Sequence, residues 1–297
     1  MDEVYGFDRR LWETVVFTRG RGALCLDSAT EDDVPELARL NQNVQLDLTR
    51  YQEVFSSGER SFAQHGGFLS VMDASELTRC LHSDRSALFT LREAGYAGGD
   101  TAAPVGTNAS TITNTSTNAS TERIIASLWI SLDDPGFAAP SPDFLRALGE
   151  HPALDEALKQ GTVCYARELI VAKDAPRSIS PSRAVFYGGF SNMLKAGFNY
   201  ALAEVYRIIE YHTWDEEGKS GVGHPVDSVN EAALHSVADA GGFRIGRNTV
   251  RVYELEKYVS LTIEPQVVLF ELIPSLQKLS QELTAQGVHI ERMPYCA

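Results

Sequence analysis

The chain is short of the features that usually assign a protein quickly. Its 297 residues include only 4 cysteines. Cys25, Cys80, Cys164 and Cys296 lie far apart with no C-x-x-C pair, a pattern that supports neither a disulfide framework nor a structural zinc site. The 7 histidines do not gather either, and no H-E-x-x-H occurs, so no metal is expected. Long apolar runs are also missing. A membrane-spanning helix needs about 20 consecutive apolar residues, whereas the most apolar stretches, 124–130 and 267–273, are short and interrupted by polar residues. Positive charge is scarce: 26 Lys and Arg stand against 40 Asp and Glu, a formal charge of −14. That sign opposes binding to a phosphate backbone, so neither nucleic acid nor membrane is an expected partner. The acidic opening Met1-Asp2-Glu3-Val4-Tyr5 lacks the basic and apolar regions of a secretory signal, and a cytoplasmic protein is expected.

What remains is ordinary globular composition, 43% hydrophobic and 22% charged, enough to bury a sizeable core. Residues 23–28 read as a strand, followed by a helix that Thr30 caps, with Val34, Leu37, Leu40 and Val44 at helical spacing. Further helices are expected at 46–55 and 74–81, and strands at 86–92 and 123–132. Between those strands lies a Thr/Asn/Ser-rich tract, read as a disordered polar loop over 96–122. Its three N-x-[ST] triplets, at Asn108, Asn114 and Asn118, follow from that composition. A helical excursion over 142–159 leads to a strand at 162–172 and then an amphipathic helix from Pro181 to about Lys195. Ser180 is placed to cap this helix and Pro181 to occupy its first position, which leaves backbone N–H groups pointing out of the helix end, where phosphate is attracted. A strand at 199–208, a helix from Asn230 ended by Gly241-Gly242, strands over 244–264 and a C-terminal helix at 275–286 complete the order.

Two segments carry a resemblance. Glu168-Leu169-Ile170-Val171 followed by Arg177-Ser178-Ile179-Ser180-Pro181-Ser182 resembles the E-L-x-V strand and [RQ]-x-x-G-x-G loop of the GNAT superfamily of acyl-CoA-dependent N-acyltransferases, with serines where both glycines belong. Asn230 to Gly242-Phe243 is similar to that family's N-x-x-[AS]…G-F segment, one residue longer than usual. The order of elements agrees across residues 21–270. The resemblance implies an α+β fold, a mixed and mostly antiparallel sheet flanked by helices in three α/β/α layers. It implies one acyltransferase domain over 21–273, after an N-terminal arm over 1–20 and before a C-terminal helix and tail over 274–297.

It also implies a chemistry. Acetyl-CoA, or another acyl-CoA, is the co-substrate, and a small-molecule amine or a protein amino group is the acceptor. Glu168 is the expected general base, with Tyr165 as an alternative proton handler on the other strand face unless a bulge intervenes. Leu169, Ile170 and Val171 are expected along the pantetheine arm, which Asn230 also touches, and Arg177, Ser178, Ile179, Ser180, Ser182 and Arg183 around the pyrophosphate. Serine keeps its backbone N–H and adds a hydroxyl, while Pro181 removes one donor. The family's tyrosine general acid has no counterpart, since Val237 and Ala238 stand near its position. Two other readings follow from these departures: a GNAT-like binding or regulatory module without catalysis, and an N-acyl synthase that takes its acyl group from a carrier protein. The C-terminal helix is expected to pack on the sheet or on a second subunit, as a homodimer.

Overall fold

A computed structural model of the chain describes residues 6–44, 72–93, 123–134, 137, 140–214, 221–256 and 259–294. Its frame is an 11-stranded sheet. The strands are β1 (Glu13–Arg19), β2 (Gly22–Ser28), β3 (Ser86–Glu93), β4 (Arg123–Ser131), β5 (Val163–Val171), β6 (Tyr200–Trp214), β7 (Gly221–Val229), β8 (Phe243–Arg247), β9 (Arg251–Glu256), β10 (Val259–Glu271) and β11 (His289–Pro294). The path through the sheet is β11-β1-β2-β3-β4-β5-β6-β10-β8, with β7 on β6 and β9 on β10. All neighbours are antiparallel except β5 and β6. The central strands β3 and β4 are buried on both faces, which explains their nearly unbroken apolar sequence.

Helices cover both faces, as the expected three-layer α+β architecture requires. On one face lie α1 (Val34–Val44), α2 (Ala74–His82), α3 (Pro142–Glu150) and α4 (Pro152–Lys159). The first two pack on Leu88, Ile124 and Ile170, the other two on Val163, Leu202, Val267 and Leu269. On the opposite face lie α5 (Pro181–Lys195), α6 (Glu231–Asp239) and α7 (Leu272–Ala285), over a core that includes Phe89, Leu128, Phe190 and Phe270. The middle of α5 is buried on every side, and this central helix sits close to the sheet because of two glycines. A Cβ built on Gly189 would stand 2.6 Å from Leu128 Cδ2, and one on Gly188 would stand 2.8 Å from Leu26 Cδ2.

Three segments differ from the sequence expectation. The excursion over 142–159 is two helices, because His151 precedes Pro152 and leaves the helical region at φ −123°, ψ 68°, as the clash with a following proline ring demands. The stretch before Asn230, for which no element is expected, holds strand β7. Its Gly221, Gly223 and Pro225 mask the pattern, and such residues are tolerated because, among the described residues, β7 pairs with β6 alone. The residues before 21, expected as an arm, contain β1, which joins β2 to the C-terminal strand β11. The helix expected at 46–55 and the polar tract at 96–122 lie outside the described residues.

The close contact of α5 with β4 gives a test. Gly189→Val would force two methyl groups into the fully buried Leu128 contact, and overpacking of this kind typically costs about 1–3 kcal/mol. A thermal melt is expected to show a midpoint lowered by several degrees, and an unchanged or raised midpoint would contradict the packing.

Candidate functional site

The site begins where two strands part. β5 and β6 pair in parallel over only three residues, Val163 with Tyr200, Cys164 with Ala201 and Tyr165 with Leu202. Beyond them β5 keeps to β4 as far as Val171, while the same edge of β6 is taken by β7 from Arg207 to Trp214. A V-shaped gap therefore opens between residues 166–171 of β5 and 203–206 of β6. Asn230 closes its far end, its backbone N–H donating to the Tyr206 carbonyl at 3.3 Å.

Glu168 lies on the β5 arm of this V. The β4–β5 register shifts there, with Trp129 opposite Glu168 but Ile130 opposite Ala166, so Arg167 is a bulge residue. Without the bulge Tyr165 and Glu168, three residues apart, would face opposite ways. With it, Ala166, Leu169 and Val171 pack toward α5, and Tyr165 and Glu168 share the other face. Glu168 is part-buried. Among the described residues nothing donates a hydrogen bond to its carboxyl group or forms an ion pair with it. Desolvation pushes its pKa up to about 7, opposed by the charge of Arg167 and reinforced by that of Glu76 on α2. Arg167 itself lies over the Trp129 ring at 4.6 Å and 3.6 Å from Asp134. Tyr165 stacks on Phe137 with ring centroids 5.1 Å apart, and burial pushes its phenol up to about 12, so it holds its proton at neutral pH.

The turn after β5 occupies the lower end of the sheet. Ile179 is buried at 1% exposure and anchors it, while Arg177 and Ser178 are exposed. Ser180 precedes α5 without capping it through its side chain. Its hydroxyl lies instead 3.4 Å from that of Ser182. The first-turn N–H groups of α5 at Ser182 and Arg183 thus keep their donor capacity, as at any uncapped helix start. The Arg183 side chain leads elsewhere, to Asp239 at 2.9 Å and Glu282 at 2.8 Å, where it ties α5 to α6 and α7. Ile170 is buried against α1 and α2, and Leu169 and Val171 are half-buried beside the V. The Asn230 side chain caps α6, its Oδ1 accepting from the Ala233 N–H at 2.9 Å. Residues 165–171 thus line the cleft, residues 177–182 lie at its lower end, and Arg183 belongs to a structural ion-pair cluster.

Some charged residues on this face gave no sequence signal. Glu204 on β6 points to the Tyr165 side, where its carboxylate accepts from Asn248 at 2.8 Å and from Arg251 at 2.7 Å. Burial raises its pKa, against the pull of Arg251, and Asp134 adds a smaller push in the same direction. Tyr206 and Tyr253 stand beside it with ring centroids 6.5 Å apart, and burial raises the Tyr206 phenol as well. Asp134 acts electrostatically on both Tyr165 and Glu204, groups from a loop and two strands that only the fold brings together. Among the described residues no group of histidines, cysteines and carboxylates suits a metal ion, and no helix is long and apolar enough to cross a membrane.

No family model matches the chain, and no curated protein sequence does. Solved structures are similar in chain trace. RimJ of Mycobacterium smegmatis, in complex with CoA-disulfide, is 11% identical, with 93% of this chain and 96% of that one covered at a TM-score of 0.45. The GNAT domain of S. lividans PAT is 14% identical, with 86% and 97% covered at 0.39. A Vibrio cholerae spermidine N-acetyltransferase SpeG chimera with hSSAT is 10% identical, with 85% and 98% covered at 0.39. These are likenesses of fold.

The raised pKa of Glu168 has a consequence for stability. Its carboxyl group binds a proton more tightly in the folded chain than in the unfolded one, where the value is about 4.3, so its contribution declines as pH rises from there to about 7. Glu168→Gln removes the titration. Melts across pH 5–8 are expected to show the variant gaining on the wild type as pH rises, by on the order of 2 kcal/mol, and parallel curves would contradict the desolvated carboxyl.

Proposed function

We propose that the protein is an N-acyltransferase that moves an acyl group, most simply acetyl, from acyl-CoA to a primary amine by direct attack on the thioester. The observation that carries this reading is Glu168: a desolvated carboxyl without a hydrogen-bonding partner among the described residues, on the open edge where β5 and β6 part. A structural carboxylate at such a place would be expected to gain an arginine or backbone donors to offset its desolvation. A base that must accept a proton near neutral pH is served by being left without them.

The residues fit the co-substrate. Acyl-CoA supplies the activated thioester. The V between β5 and β6 offers main-chain groups at Leu169, Ile170 and Val171 to an extended pantetheine arm, with Asn230 at the far side. The N–H groups of Ser182 and Arg183, the hydroxyls of Ser178, Ser180 and Ser182, and the Arg177 guanidinium surround the turn where the diphosphate binds. Ser180 and Ser182 serve in place of the two glycines by adding hydroxyl donors, and Ser182 keeps its backbone N–H, while the buried Ile179 anchors the turn.

Glu168, directly or through a water, takes a proton from the attacking amine as the N–C bond forms. The C–S bond then breaks, and the departing thiolate receives a proton from Tyr165, whose phenol burial keeps neutral. The bulge at Arg167 puts both groups on one face, so both proton transfers take place on the side of the sheet that carries α1 and α2. The chain's formal charge of −14 favours a cationic amine as the acceptor through steering.

Calorimetry with coenzyme A and thiol-release assays across an amine panel test the reading. Binding together with release supports it, binding without release with any amine means a module that has lost catalysis, and acylation only from a loaded carrier protein moves the donor. In the active case Glu168→Gln is expected to lower kcat about 100-fold or more and to abolish the rise of rate that the wild type shows through about pH 7. A variant with unchanged kcat and the same pH limb would remove Glu168 as the base.

A further inference from the structure

The pairing of arginines across the molecule is uneven in an informative way. Eighteen arginines lie in the described residues, and twelve of them face a carboxylate within ion-pair distance. That is what a chain with 40 acidic residues and a charge of −14 would give. Arg9 and Arg292 are engaged otherwise, Arg9 by the Ser83 and Ser86 carbonyls and Arg292 by the Tyr187 hydroxyl. Of the four that remain, Arg244 stands apart, and Arg19, Arg21 and Arg177 fall at one place.

That place is the junction of two turns. β1 and β2 are joined through Gly20, whose φ of 58° is the left-handed conformation that a glycine adopts without strain. The Arg19 Nη1 donates to the Ser178 carbonyl of the turn that follows β5. A Cβ built on Gly22 would lie 3.4 Å from the Ser178 hydroxyl. The hairpin tip thus rests against the turn that opens α5. Arg19, Arg21 and Arg177 are all exposed around this contact, and no acidic side chain among the described residues neutralises any of them. Three like charges held together in an acidic protein are mutually destabilising unless an anion joins them. Guanidinium groups suit a phosphate because they bind it in bidentate fashion.

We infer that the β1–β2 hairpin tip, through Arg19 and Arg21, is a second anion site that holds the 3′-phosphate of the nucleotide portion of coenzyme A, beside the turn whose Arg177 takes the diphosphate. The inference rests on the acyl-CoA reading above and extends it. The hairpin selects the free nucleotide donor over a carrier-bound phosphopantetheine, which lacks that phosphate.

The test compares coenzyme A with 3′-dephospho-coenzyme A by calorimetry on the full chain. The wild type is expected to bind coenzyme A about tenfold more tightly, and Arg19→Ala/Arg21→Ala to bind the two about equally. Arg21→Ala alone, at an exposed tip position, is expected to remove part of the preference with an unaltered melting midpoint, which separates lost recognition from lost folding. Equal binding of the two nucleotides by the wild type would overturn the assignment and leave the donor reading standing, as would a preference that survives the double substitution. If neither nucleotide binds, the donor reading and this site fall together.

Discussion

Three rungs of parallel pairing between β5 and β6 are the constraint on which the rest depends. A parallel pair needs a crossover, which α5 supplies, and the crossover sets the start of this helix at the lower end of β5. Had the pairing continued, residues 166–171 would have been an ordinary central strand with every main-chain group satisfied. Because β7 claims the β6 edge from Arg207 onward, the two strands cannot stay together. The chain gains a cleft whose walls are main chain and whose lower end is a helix start. A polar slot and an electropositive terminus thus follow from a single competition for one strand edge.

The bulge at Arg167 adds the chemistry to this geometry. One extra residue reverses the alternation of side chains, turning Glu168 to the face of Tyr165 and leaving Leu169 and Val171 to pack beneath α5. Neither side of the strand loses its apolar contacts. The desolvation of Glu168 and the neutrality of Tyr165 come from the same feature, since both side chains are enclosed on the side where α2, Phe137 and the loop at Asp134 close over the strand.

Much of this frame was legible in the sequence, and the exceptions have physical causes. The strand at Glu168, the helix from Pro181 and the glycine-ended helix at Asn230 announce themselves by apolar period and by proline, serine and glycine at helix ends, which are local signals. The break at His151 was also local but was hidden by continuous helical periodicity on both sides of Pro152. β7 gives no strand signal because an edge strand paired on one side tolerates glycine and proline, which read as loop. The bulge left no mark, since Tyr165 to Val171 is equally good as a regular strand and only the partner register reveals the extra residue. Asp134, Glu204 and Arg251 lie 117 positions apart from first to last in the numbering, and no local pattern joins them. Arg183 is a different case: its side chain pairs with Asp239 and Glu282 in the scaffold, so only its backbone N–H is left for the phosphate that its position suggests.

The glycine pair in α5 has a reach beyond its own contact. Gly188 and Gly189 lie eight and nine residues from Ser180, about 12 Å along the helix axis, and a helix behaves as a stiff rod over that span. With no slack between rod and sheet at the midpoint, its tip has one resting height over the floor formed by the strands. Lifting the middle tilts the tip. The bottom of the molecule is thereby levered to its centre, and grip at one end is adjusted by the girth of side chains at the other.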